Sequence, residues 1–108
     1  MTRRIYDKLV RDRIPEIIRQ SGSTCGTEVF TDDGAFRSAL RNKLVEEAGE
    51  AANASEENLA AELADLQEVI DTLVVACGLS DAAVRALQEQ RRADRGAFAS
   101  RLRLLWTE

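Results

Sequence analysis

The chain contains no histidine. That excludes Ser-His and Cys-His nucleophile pairs, histidine zinc sites and imidazole acid–base chemistry. Any hydrolysis it performs must rest on carboxylates, cations or a metal. Its two cysteines, Cys25 and Cys77, are too few and too far apart for a metal motif, and read as a loop thiol and a buried apolar thiol. A single proline, with aliphatic residues plentiful, favours a compact helical protein over disorder. No apolar run approaches the roughly 20 residues that span a bilayer, and no hydrophobic stretch follows Arg3 and Arg4. The expectation is therefore a cytoplasmic protein without membrane association.

Charge is missing in a patterned way. No lysine or arginine lies between Leu44 and Val84, whereas ten of the nineteen acids do. The net charge of −4 hides an acidic middle flanked by all fifteen cations. Acidic middles suit metal ions, and basic flanks suit phosphates or carboxylates. Stable nucleic-acid binding is not expected from this balance. With 108 residues the chain reads as one domain, residues 1–108, burying about 60–65% of its unfolded surface.

What is present is mostly helical. Pro15 suits a first helical turn with Asp12 as its cap, giving a short helix to about Gln20. Thr31, Asp32 or Asp33 can cap a second helix running from about Asp33 to Ala54. Ser55 can cap a third that reaches Cys77 before Gly78, and Ser80 a fourth over about Asp81–Asp94, ended by Gly96. Arg3–Val10 reads as a short strand or extended arm, and Thr24–Phe30 as irregular or a brief strand. The tail from Ala97 reads as a packed arm in which Arg101–Leu104 permits a strand. Leu9, Val10, Ile14, Ile17 and Ile18 are expected in the core, with Trp106 as a packing residue. The fold expected is an all-α, four-helix, bundle-like domain with short terminal arms.

Phe36, Leu40, Leu44, Ala48 and Ala51 form one stripe on the second helix; Leu59, Leu63, Leu66, Ile70 and Leu73 form another on the third. Glu47 and Glu50 lie beside the first stripe, Glu62 and Asp65 beside the second, each pair one turn apart. Counted from a turn near Ser55, Glu50 and Glu62 reach similar heights on antiparallel helices, as do Glu47 and Asp65. Four carboxylates bordering a core repel one another unless a cation lies between them. Hard oxygen donors suit magnesium, with manganese as a substitute. Glu46 neighbours this set and is the candidate general base. Gly49, between Glu47 and Glu50, costs roughly 1 kcal/mol of helix propensity against alanine; close approach of a backbone or ligand would account for it, as would simple tolerance, and its place between two acids favours the first. The third helix is apolar on more than one side at Val69-Ile70 and Leu73–Ala76, which calls for cover on both sides, from a second subunit or from the terminal arms, the second subunit being favoured in so small a chain.

Glu46-Glu47-x-x-Glu50 followed by Glu62-x-x-Asp65 resembles the signature of the all-α nucleoside triphosphate pyrophosphohydrolases, the MazG-like superfamily. This group includes the phosphoribosyl-ATP pyrophosphohydrolases and dimeric dUTPases. The opening Tyr6-Asp7-Lys8-Leu9-Val10-Arg11-Asp12-Arg13-Ile14-Pro15-Glu16-Ile17-Ile18 is similar to that of its small house-cleaning branch. So are Leu40-x-x-Lys43-Leu44-x-Glu46-Glu47 and Arg95-Gly96-x-Phe98, although Ala97 stands where that branch often has a second glycine. The resemblance implies magnesium-dependent cleavage of a nucleoside triphosphate, non-canonical or deoxy, to monophosphate and pyrophosphate. It implies Glu47, Glu50, Glu62 and Asp65 as metal ligands, Glu46 as the acid that orients or deprotonates water, and a homodimer or dimer of dimers. Lys43 is then a phosphate contact or an ion-pair partner of Glu46 or Glu47, and Arg92 and Arg95 reach phosphates. Lys8, Arg11 and Arg13 leave two readings open: contacts to the triphosphate or base, or an arm salt-bridged by Asp7, Asp12 and Glu16. Against the enzyme stand a nucleotide- or metal-binding protein without turnover and a helical interaction module.

Overall fold

Four helices account for the regular structure of the computed structural model, which describes residues 2–108. They are α1 (Ile14–Gln20), α2 (Asp33–Ala52), α3 (Glu56–Ala76) and α4 (Asp81–Arg95), and the described residues contain no strand. The class is all-α. The chain divides into two compact units, Met1–Gly78 and Leu79–Glu108. No helix is long and apolar enough to cross a membrane.

The caps explain where the helices begin. At α2 the Asp32 carboxylate accepts a bond from the Ala35 amide at 2.9 Å. At α4 the Ser80 hydroxyl accepts one from Ala83 at 3.1 Å. Ser55 occupies the cap position of α3 with extended backbone but makes no side-chain bond. Glu56 and Glu57 instead place negative charge in the first turn, where the helix dipole favours it. Asp12 does not cap α1: Arg13 holds that position without a side-chain bond, and Pro15 removes one of the donors a cap would serve. Gly78 and Gly96 close α3 and α4 with φ of 70° and 78°, values that other side chains rarely adopt.

In the first unit, α2 and α3 pack as a hairpin through the turn at Asn53–Ser55. The last turn of α2 ends at Ala52, earlier than Ala54, because the Asn53 side-chain amide donates to the Gly49 carbonyl at 2.8 Å. Leu40, at 2% exposure, Ala51 and Val69 are the buried residues among those described. Leu44, Leu66, Ile70 and Leu73 are half-buried along the seam, whereas Leu59 and Leu63 are exposed near the turn end of α3. Leu9 and Val10 on the arm and Ile14 and Ile18 on α1 are also half-buried, but Ile17 is 50% exposed. The N-terminal arm and residues 24–30 are irregular rather than strands.

The tail is not a packed arm: Phe98 is 92% exposed, Trp106 is 71% exposed, and no strand forms at 101–104. No atom of the chain approaches Gly49 closely, since a Cβ built there meets none within 4 Å. Gly49→Ala is therefore expected to stabilise the chain by up to about 1 kcal/mol, the propensity gap between the two residues in a helix interior. Chemical denaturation of the variant beside the parent measures it, and a loss of stability would show that something contacts this position.

Candidate metal centre

Helical geometry brings three of the four sequence-assigned carboxylates together. Glu47 on α2 and Glu62 and Asp65 on α3 each present an oxygen such that the three lie within 4.8 Å of one another. All three residues are partly buried. Glu50 is exposed and falls outside this triangle. Three residues advance a helix by roughly 300°, so Glu50 lies about 60° round the cylinder from Glu47. It remains close enough for its charge to act on Glu62.

The electrostatics are those of an anion cluster. Glu62 has its carboxyl pushed above the ordinary carboxylate value, first by loss of hydration and then by the charges of Asp65, Glu50 and Glu47. Three convergent hard oxygen donors, with no sulfur or nitrogen ligand among them, match what magnesium or manganese prefers. The donor set fits such an ion.

Cations surround this cluster, and two of them arrive from far away in sequence. Lys43, 16% exposed, reaches Glu47 at 3.5 Å and Glu46 at 3.4 Å, so it is an ion-pair partner of both. Glu47 is 14% exposed, which makes this the most enclosed pair of the site. Lys8 donates to the other oxygen of Glu46 at 3.2 Å across 38 residues. Arg11 donates to Asp65 at 2.9 Å across 54 residues. The N-terminal arm is thus ion-paired, through the site's own acids rather than through Asp7 and Asp12. Only Arg13 pairs locally, with Glu16 at 3.1 Å. Arg4 and Lys8 also lie over the Tyr6 ring, 5.6 and 5.8 Å from its centre.

Glu46 differs from Glu62 in the direction of its proton affinity. Partial desolvation raises it, but the Lys8 hydrogen bond and the charges of Lys43 and Lys8 outweigh that and hold the carboxyl below its ordinary value. A carboxylate held ionised in this way is a weak proton acceptor and a strong hydrogen-bond acceptor. Arg92 and Arg95 form the last turn of α4, where positive charge complements the helix dipole, and neither has an ion pair among the described residues.

The fold and site together define an all-α protein whose helical hairpin carries a three-carboxylate cluster rimmed by cations. No family model, curated protein or solved structure matches the chain.

Proposed function

We propose that the chain is a divalent-cation-dependent nucleoside triphosphate pyrophosphohydrolase of the MazG-like kind, acting on a non-canonical or deoxy nucleotide. The observation that carries this reading is the convergence of Glu47, Glu62 and Asp65 beside Glu46, with lysine and arginine at the rim. Glu47, Glu62 and Asp65 hold magnesium, with manganese as a substitute, and Glu50 supplies a fourth carboxylate at the edge. A bound ion of this type neutralises phosphate oxygens and lowers the pKa of water. Water adds to the α-phosphorus and gives up a proton to solvent, the bond to the bridging oxygen breaks, and pyrophosphate leaves with the electron pair.

Glu46 accepts a hydrogen bond from the attacking water and fixes its direction; its depressed proton affinity favours orientation over full deprotonation. Lys8 and Arg11 sit where polyphosphate oxygens can exchange for the carboxylates they now pair with, and Arg13 stands beside them on the arm. Lys43 holds Glu46 and Glu47 in place from within. Arg92 and Arg95 are further phosphate contacts in this reading. The working assembly is a homodimer or dimer of dimers in the cytoplasm.

The test is release of pyrophosphate and monophosphate from a panel of nucleoside triphosphates, with magnesium and then with chelator. Magnesium-dependent release from at least one nucleotide is expected. Calorimetric metal binding without turnover would identify a sensor. Neither binding nor turnover would identify a helical interaction module whose acids are surface charge.

A further inference from the structure

Two parts of the molecule leave apolar surface uncovered, and their charges are opposite. On the first unit, Phe36, Glu68, Asp71, Thr72, Val75 and Ala76 line an open groove of about 370 Å³. Its floor is apolar, Val75 being 77% exposed, and its ionisable groups are two carboxylates. Asp71 accepts a bond from Gln67 at 2.8 Å, while Glu68 has no ion pair among the described residues. Polyphosphate and nucleic acid are repelled by such walls. A volume near the bottom of the range for ligand pockets, without convergent donors, suits an apolar side chain with a cation beside it better than a metabolite.

The C-terminal segment has the matching chemistry. Phe98, Leu102, Leu104, Leu105 and Trp106 are between 71% and 92% exposed. Arg101 and Arg103 are interleaved with them, and no acid occurs between Asp94 and Glu108. Five large apolar side chains within nine residues make a patch that monomeric surfaces seldom show without a partner. Nothing else in the sequence combines this apolar density with charge of one positive sign.

We infer that residues 98–106 of a second copy dock on the α2–α3 groove, their leucines and Trp106 against Phe36 and Val75, and Arg101 and Arg103 against Glu68 and Asp71. Reciprocal exchange under a two-fold axis fills both grooves and covers both tails at once, which gives a closed dimer rather than a growing chain. The contact is independent of the catalytic reading, and no step of the test depends on turnover.

The experiment uses two charge-reversed full-length chains. One carries Glu68→Lys and Asp71→Lys; the other carries Arg101→Glu and Arg103→Glu. Each alone puts like charges in contact across the interface and is expected to self-associate ~100-fold or more weakly than the parent. Mixed together, the lysine groove of the first meets the glutamate tail of the second, and the unaltered groove meets the unaltered tail. Sedimentation velocity should show monomers for each variant and dimers for the parent and the mixture. Trp106, the sole tryptophan, gives a second readout: its emission should shift to the red as the parent is diluted. Helix content by circular dichroism, equal in all three chains, verifies folding, and Trp106→Ala in an otherwise native chain supplies a charge-neutral variant with the same expected loss of dimer. A parent that stays monomeric at tens of micromolar, variants that dimerise like the parent, or a mixture that fails to recover dimers would each overturn the docking.

Discussion

Glu47→Gln, Glu62→Gln and Asp65→Asn are each expected to weaken magnesium binding and turnover together, by more than about 100-fold. Loss of groups that merely support metal ligands already costs 10- to 100-fold, and these variants remove a ligand itself. Titration calorimetry with manganese beside steady-state rates measures both quantities. Folding should survive, because none of the three is fully buried. Glu62→Gln carries a further signature in chelator. The Glu62 carboxyl is held above the ordinary value of 4.5, so its ionisation as pH rises works against the folded state. The amide should therefore melt higher than the parent at pH 7, with the difference shrinking as pH falls through the raised value and gone below the ordinary 4.5. Metal-free Asp65→Asn should instead lose a little stability, since it gives up the Arg11 pair, an exposed contact contributing at most about 1 kcal/mol. Three amide variants that bind metal and turn over like the parent would make these acids ordinary surface.

Glu46→Gln should separate binding from rate. The amide keeps the size of the side chain and leaves Glu47, Glu62 and Asp65 untouched, so metal affinity is expected to stay near the parent value. Turnover should fall by ~10²-fold, the scale on which a misplaced reacting group costs rate, since the amide no longer fixes the attacking water. The structure adds a pH test. Lys8 and Lys43 hold the Glu46 carboxyl below its ordinary value in the substrate-free chain, so the acid limb of the parent kcat/KM profile, which reports the free enzyme, should lie on the acid side of 4.5. Lys8→Ala removes the hydrogen bond and one of the two charges, and the limb should move toward neutral pH. The sign follows from the direction of the shift: the ionised form is favoured in the folded protein and is lost only as pH falls through the depressed value. An unmoved limb in Lys8→Ala, with Glu46→Gln as active as the parent, would remove Glu46 from the reaction.

The helices, two of their caps and the pairing of acids across the hairpin were legible because they follow from local rules. Asp32 and Ser80 cap as their types require, and counting residues from Ser55 matched Glu50 with Glu62 and Glu47 with Asp65, three of which converge. Counting could not supply rotation about the axis, which is why Glu50 falls outside the triangle. Nor could any pattern link Lys8 to Glu46 or Arg11 to Asp65, contacts that depend on how an irregular arm lies across 38 and 54 residues of chain. Glu46 illustrates the chemical side of the same limit. Its identity as an acid beside the ligands was readable, but its lowered proton affinity comes from two lysines placed by tertiary structure. Ile17 and Trp106 depart from expectation because apolarity alone does not say which face of a short helix or tail is covered, and at Gly49 no atom of the chain makes the close approach that a helical glycine permits.

The sparse interior of Leu40, Ala51 and Val69 has a calorimetric consequence. Heat capacity rises on unfolding in proportion to the apolar area newly wetted, ordinarily ~12–15 cal/mol/K per residue. A chain that already wets most of its leucines and valines has little more to expose, so its increment per residue must lie below that range. Its free energy then varies weakly with temperature, giving a low, broad stability dome in place of a steep one. Covering the exposed leucines and Trp106 would raise the increment and deepen that curvature.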